Sequence, residues 1–227
     1  MDNCSIYIIS CTKNNKVEFS KSPLGESITK HKQIGNISDS IIYFNNTKGL
    51  SENYNDAIRK IKTDNPILIF CHDDVYLLDI FLKEKLIKAF KEYDVVGVAG
   101  SSYLSLKNER IAWHISPKNT WSGYVEHPYD KDQQYMSYFG PTPKRVAVID
   151  GLFIAVKLNT LIDNNIKFQE EFKFDGYDTS FCLECLKKDL NIGVVNIHTQ
   201  HLSHGEGIKN NDYIIISNIL KEKYHKK

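Results

Sequence analysis

Apolar residues fall in short runs separated by polar stretches, and the period within each run predicts an element. Residues 5–11 (SIYIISC) and 41–44 are β-branched and apolar, the signature of strands. Each is closed by turn formers, Thr12-Lys13-Asn14-Asn15 and Asn45-Asn46-Thr47-Lys48-Gly49. Residues 66–71 (PILIFC) are apolar without alternation, as expected of a strand covered on both faces. Tyr54, Ala57, Ile58 and Ile61 recur at helical spacing behind Ser51, which predicts a helix capped by that serine. Residues 78–93 follow an amphipathic helical pattern, and 95–99 form a fourth strand. This alternation up to residue 100 predicts an open, mostly parallel sheet flanked by helices. Residues 103–143 break the pattern and read as loop, with Trp113, Trp121 and a scatter of tyrosines. Strand patterns resume at 146–149 and 152–156 around Asp150-Gly151. A helix at 179–190, a strand at 192–197 and a helix at 213–224 complete the chain. There is no repeat, low-complexity tract or linker, so residues 1–227 read as one domain.

Composition narrows the function classes. The chain has 227 residues, enough for one substantial α/β domain. Its 29 Lys and Arg against 28 Asp and Glu leave a net charge of +1, which gives no pull toward nucleic acid or an anionic membrane. No segment reaches the roughly 20 apolar residues of a membrane span. Met1-Asp2-Asn3-Cys4 lacks the basic start of a secretory leader. Five cysteines, an odd number spread along the chain, read as reduced thiols. The expectation is a cytoplasmic protein without a transmembrane segment.

Candidate chemistry lies at three polar clusters. His72-Asp73-Asp74 directly follows the third strand, and ligands of open α/β sheets bind at the carboxyl ends of strands. Two adjacent carboxylates repel unless a cation or hydrogen-bond donors offset them. A hard divalent ion bridging a diphosphate does so; solvation of the loop and capping of the next helix is the competing explanation. Asp175 and Asp178 flank the start of a helix, where capping and the helix dipole account for one aspartate better than for two. His198, His201 and His204 follow the last strand and run into glycines, a pattern compatible with a ligand site. Cys182-x2-Cys185 followed by His198 and His204 has zinc-finger spacing. Its cysteines, however, fall in a helical segment and its histidines after a strand, the reverse of a finger.

These motifs, in this order, resemble the GT-A fold glycosyltransferases, specifically the family 2-like domain typified by streptomycin-biosynthesis-type enzymes. The resemblance is carried by Asn46-Thr47-Lys48-Gly49-Leu50-Ser51 with Tyr54-Asn55, by ILIFCHDDV at 67–75, and by GVAGS at 97–101. It continues through VIDGLF at 148–153, FDGYD at 174–178 and HLSHG at 201–205, and spans residues 5 to 224. It implies a nucleotide-binding half, 1–102, and an acceptor and catalytic half, 103–227. In that scheme Ser10, Thr12, Asn46, Tyr54 and Asn55 face the base and ribose of a nucleotide-sugar donor, with UDP-sugars favoured. Asp73 contacts the ribose, and Asp74 ligates Mn2+ or Mg2+. His72 stands where the metal motif often has its first aspartate, touching either nucleotide or metal. His201 matches the histidine near the diphosphate and metal, with His204 as its alternative. Asp178 is the general base; Tyr177 stands where relatives often have glutamate. Asp150 and Asp175 are the competing carboxylates on the side of a glycan or other hydroxyl acceptor. Trp121 is the candidate aromatic platform for the acceptor, since aromatic faces suit the apolar faces of sugar rings, with a core or lid anchor as its alternative. The expected reaction is inverting glycosyl transfer. A metal-dependent phosphoesterase and a non-catalytic binding relative are the alternatives.

Overall fold

The structure is a computed structural model describing residues 4–130, 133–203 and 210–224. Its first sheet begins with β1 (Ile6–Cys11), β2 (Asp39–Tyr43) and β3 (Ile67–Cys71), paired in parallel in the order β2-β1-β3. The crossovers carry α1 (Lys16–Phe19), α2 (Pro23–Gln33) and α3 (Leu50–Lys60). Every residue of β3 is buried, as its unbroken apolar run requires, whereas edge strand β2 is only half covered and opens on exposed Asp39. Helix α3 is capped by Gly49, and not by Ser51, whose hydroxyl instead donates to the Phe172 carbonyl at 2.8 Å.

After β3 the chain turns through His72-Asp73-Asp74 into a short strand, β4 (Val75–Leu77), before α4 (Leu82–Ala89), β5 (Val95–Gly97) and β6 (Ala99–Ser101). The helix expected over 78–93 is therefore shortened at both ends. Residues 103–143, read as loop, instead contain the longest strands, β7 (Trp121–Asp130) and β8 (Gln133–Gly140), an antiparallel hairpin. Pro128 and Gly123 mask its pattern. Gly123 sits at φ +106° where a Cβ would lie 2.1 Å from the Val98 carbonyl oxygen, so only glycine lets the hairpin lie this close to β6.

The second half adds β9 (Lys144–Val146), β10 (Val148–Ile149), β11 (Phe153–Lys157), α5 (Leu158–Asp163), α6 (Tyr177–Leu186), β12 (Ile192–Val194), β13 (Thr199–His201) and α7 (Asn210–Tyr224). Strand β11 enters the first sheet between β3 and β5 and runs antiparallel to both. The complete order is β2-β1-β3-β11-β5-β12-β9, with β12 parallel to β5 and antiparallel to β9. The sheet is thus mixed: the expected α/β architecture stands, and what the pattern along the chain did not foretell is that β11 and β9 run against the other five strands. The reason is that a strand's residues encode its burial but not its direction. A second sheet, β10-β6-β7-β13-β4 with β8 beside β7, stands next to it. The His72-Asp73-Asp74 turn is where the chain first leaves the first sheet for the second.

Candidate active site

Pairing of β13 with β4 sets His201 opposite Val75 and lets the Leu202 amide donate to the Asp74 carbonyl at 2.9 Å. His201 Nε2 then lies 3.3 Å from Asp74 Oδ1. His72 joins them: one ligand atom from each of His72, Asp74 and His201 lies within 4.8 Å of the others, the single such grouping among the described residues. The approach of His201 lacks hydrogen-bond geometry, so Asp74 Oδ1 is buried without a hydrogen-bond partner. A buried carboxylate oxygen that meets His201 as an ion pair but makes no hydrogen bond, with His72 close by, fits a cation. Burial works to raise the Asp74 carboxyl, but the facing His201 ring outweighs it and holds it below the usual range. Burial works to lower His201, and Asp74 holds it up. Burial keeps His72 low and neutral, the form a ligand needs.

The two residues that open this turn face different cavities. Asp73 lines a cleft of about 790 Å³ with Thr12, Asn46, Gly49 and Phe174. Thr12 donates to Asp73 Oδ2 at 2.5 Å. Lys13, Lys48 and Lys173 also line it, and their charge suits a diphosphate. None of the three lysines was singled out from sequence; Lys13 and Lys48 at least flank the Thr12 and Asn46 motifs. Cys11 lines the same cleft, where burial pushes its thiol up to about 12, far from a nucleophilic thiolate.

His72 lines a second cavity of about 140 Å³ with Trp113, Asp150, Asp175 and Asp178. Asp150 is fixed by the Trp113 indole N–H at 2.7 Å and the Leu152 amide at 2.9 Å. Asp178, in the first turn of α6, accepts from the amides of Gly151 at 3.1 Å and Thr179 at 2.6 Å. Burial, reinforced by the Asp150 carboxylate, pushes Asp178 up to about 7. Burial and Asp212 raise Asp175 as well. Phe174 lines both cavities and stacks on His72 at 5.9 Å.

Several residues expected at these pockets are placed elsewhere. Ser10 is fully buried inside β1, and Thr12 takes its place at the cleft. Tyr54 is fully buried against Phe70, Phe168 and Tyr177, so it supports the site from the core without lining the cleft. Asn55 ties α3 to the segment before α6, donating to the Phe168 carbonyl at 2.8 Å and accepting from the Phe168 amide at 3.0 Å. Trp121 does not line the second cavity; its indole donates to Ser116 and its ring packs on Trp113, which does. His72 joins Asp74 and His201 and does not line the larger cleft. His204 lies outside the described residues. Cys182 and Cys185 are buried in α6, and His198 is held by Glu126 of β7 at 2.7 Å.

Tyr177 links the two halves of the site. Its hydroxyl donates to the Gly151 carbonyl at 2.8 Å and meets His72 Nε2 at 2.9 Å. A Cβ on Gly151 would lie 2.3 Å from that hydroxyl. Gly151→Ala is therefore expected to destabilise the protein by about 1–3 kcal/mol through overpacking, measurable by chemical denaturation.

Two sheets meeting at an acidic strand-end turn, with a cleft on one side and a carboxylate-lined cavity on the other, are consistent with the GT-A glycosyltransferase fold. The chain belongs to the Glycosyltransferase like family, whose profile matches residues 8–224, and that membership supports glycosyl transfer as its activity. Solved structures agree at the level of the fold. S. aureus TarS is similar with a TM-score of 0.54, 13% identity, and coverage of 98% of this chain and 40% of that one. Its 1–349 form gives 0.51, 15%, 87% and 60%. The chain thus spans 60% or less of these two structures. A197 from STIV gives 0.47 at 14% identity, covering 85% of this chain and 82% of that one. A search of curated proteins finds no match. Among the described residues no helix is long and apolar enough to cross a membrane.

Proposed function

We propose that the protein moves a sugar from a nucleoside-diphosphate sugar to a hydroxyl of a glycan or similar acceptor, inverting the anomeric centre, with a divalent ion at His72, Asp74 and His201. The observation that carries this is the convergence of those three side chains, with a buried Asp74 oxygen that makes no hydrogen bond, beside the ring of Phe174 that both cavities share. Two imidazoles in the set favour Mn2+ over the more strictly oxygen-seeking Mg2+. A bound ion would supply positive charge against the leaving diphosphate.

The chain's own residues supply the rest. Thr12 and Asn46 form the wall for the base and ribose, and Thr12 orients Asp73 toward the ribose. Lys13, Lys48 and Lys173 attract the diphosphate. The acceptor occupies the smaller cavity against Trp113. Asp178, raised toward neutrality, takes the proton from the attacking hydroxyl oxygen, while Asp150 is held in place by Trp113 and Leu152. Uridine is the favoured base from the family resemblance.

Equilibrium binding of UDP and GDP in Mn2+, Mg2+ and EDTA tests this. Tight UDP binding is expected with Mn2+, weaker with Mg2+, and none measurable in EDTA. Equal affinity in all three conditions overturns the reading.

A further inference from the structure

We propose that Tyr177 is a positioning residue that sets the tautomer of His72, so that Nδ1 is the only ring nitrogen His72 can offer a metal ion. This deepens the metal site proposed above and rests on that reading for its functional meaning.

The argument is one of hydrogen-bond accounting. A carbonyl oxygen cannot donate, so in the 2.8 Å contact with Gly151 the proton belongs to Tyr177. The Tyr177 hydroxyl has only that one proton. In its 2.9 Å contact with His72 Nε2 it must therefore accept, and Nε2 must carry the hydrogen. In a neutral imidazole the other nitrogen, Nδ1, then holds the lone pair.

The scaffold around this relay leaves little freedom for the reverse arrangement. The His72 amide donates to the Leu152 carbonyl at 3.2 Å, pinning the end of β3 to the turn that bears Gly151. The Gly151 amide is itself held by Asp178, the neighbour of Tyr177. Tyr177 is buried, and Phe174 stacks on the His72 ring at an interplanar angle of 25°. Three chain segments thus converge on one ring, and the missing Cβ of Gly151 is what lets the hydroxyl come close enough. A metal-bound histidine whose other nitrogen donates to a fixed acceptor is held in orientation and made a better ligand.

The tautomer is read directly in the metal-free, 15N-labelled protein at pH 8 by long-range 1H–15N correlation of the histidine rings. The His72 signals are assigned by their loss in His72→Gln. A pyrrole-like Nε2 and a pyridine-like Nδ1 are expected; the reverse assignment overturns the proposal. Tyr177→Phe removes only the hydroxyl. Its His72 ring should lose the single tautomer, and its Mn2+ affinity should fall by about 10–100-fold, while the protein stays folded with a thermal midpoint lowered by a few degrees for the unpaired Gly151 carbonyl. Unchanged Mn2+ affinity in a folded Tyr177→Phe also overturns it. If Tyr177→Phe does not fold, the parent spectrum decides. A parent that binds no Mn2+ overturns the metal site instead, and the tautomer is still settled by that spectrum.

Discussion

Asp178→Asn is expected to lower turnover by roughly two to four orders of magnitude, the usual scale for losing a general base. Donor binding should stay within a few-fold of the parent, because Asp178 lines the smaller cavity and not the nucleotide-side cleft. The pH dependence carries the sign. Burial and Asp150 raise this carboxyl to about 7, so the protonated acid predominates below that pH and cannot accept a proton. The parent's rate should rise with pH through about 7 and flatten above it, and the residual rate of the variant should lack this limb. Stability runs the other way. A group whose folded pKa exceeds its unfolded value, about 3.9 for an aspartate, stabilises fully below the lower value and loses that contribution as pH rises through the higher one. The parent should therefore lose stability between about pH 4 and 7 through this group, a slope absent in Asp178→Asn. Denaturation at pH 5 and 8 measures it. Near-normal transfer by the variant would move the base to Asp150 or Asp175.

Asp74→Asn should fail in affinity first. It removes the only carboxylate from the His72, Asp74 and His201 grouping, so Mn2+ binding is expected to weaken by roughly two orders of magnitude or more, since ligand charge sets the affinity for such a cation. Metal-dependent UDP binding should weaken with it. In the parent, Mn2+ binding must displace the proton that Asp74 helps His201 to hold, so affinity should fall as pH drops below neutrality. Calorimetric Mn2+ titrations at pH 6 and 8 check both effects. An Asp74→Asn protein with parental Mn2+ affinity would remove the ion from this turn altogether. The two variants fail differently, one in rate and one in binding, which separates base from ligand without knowledge of the natural acceptor.

What the residues determined by themselves was local. The unbroken apolar run before His72 made β3 a buried strand, and its end placed His72, Asp73 and Asp74 at the carboxyl end of a central strand. Asp178 beside a helix start was legible for the same reason: burial and capping leave marks within a few residues; His201, expected after the last strand, is instead the final residue of β13. Tyr54 and Asn55 show the limit. Both sit beside a motif that does line the cleft, but helical spacing turns them into the core, where only the fold decides what they touch. Tertiary structure alone chose Trp113 over Trp121 as the aromatic at the second cavity, because the β7–β8 hairpin seats Trp121 against Ser116. It alone reversed β11 into the middle of the first sheet, and it joined His72 to residues more than a hundred positions away, Tyr177 by a hydrogen bond and His201 as a fellow ligand. Strand direction and long-range pairing depend on which surfaces meet once the chain is compact, and no short stretch of sequence carries that information.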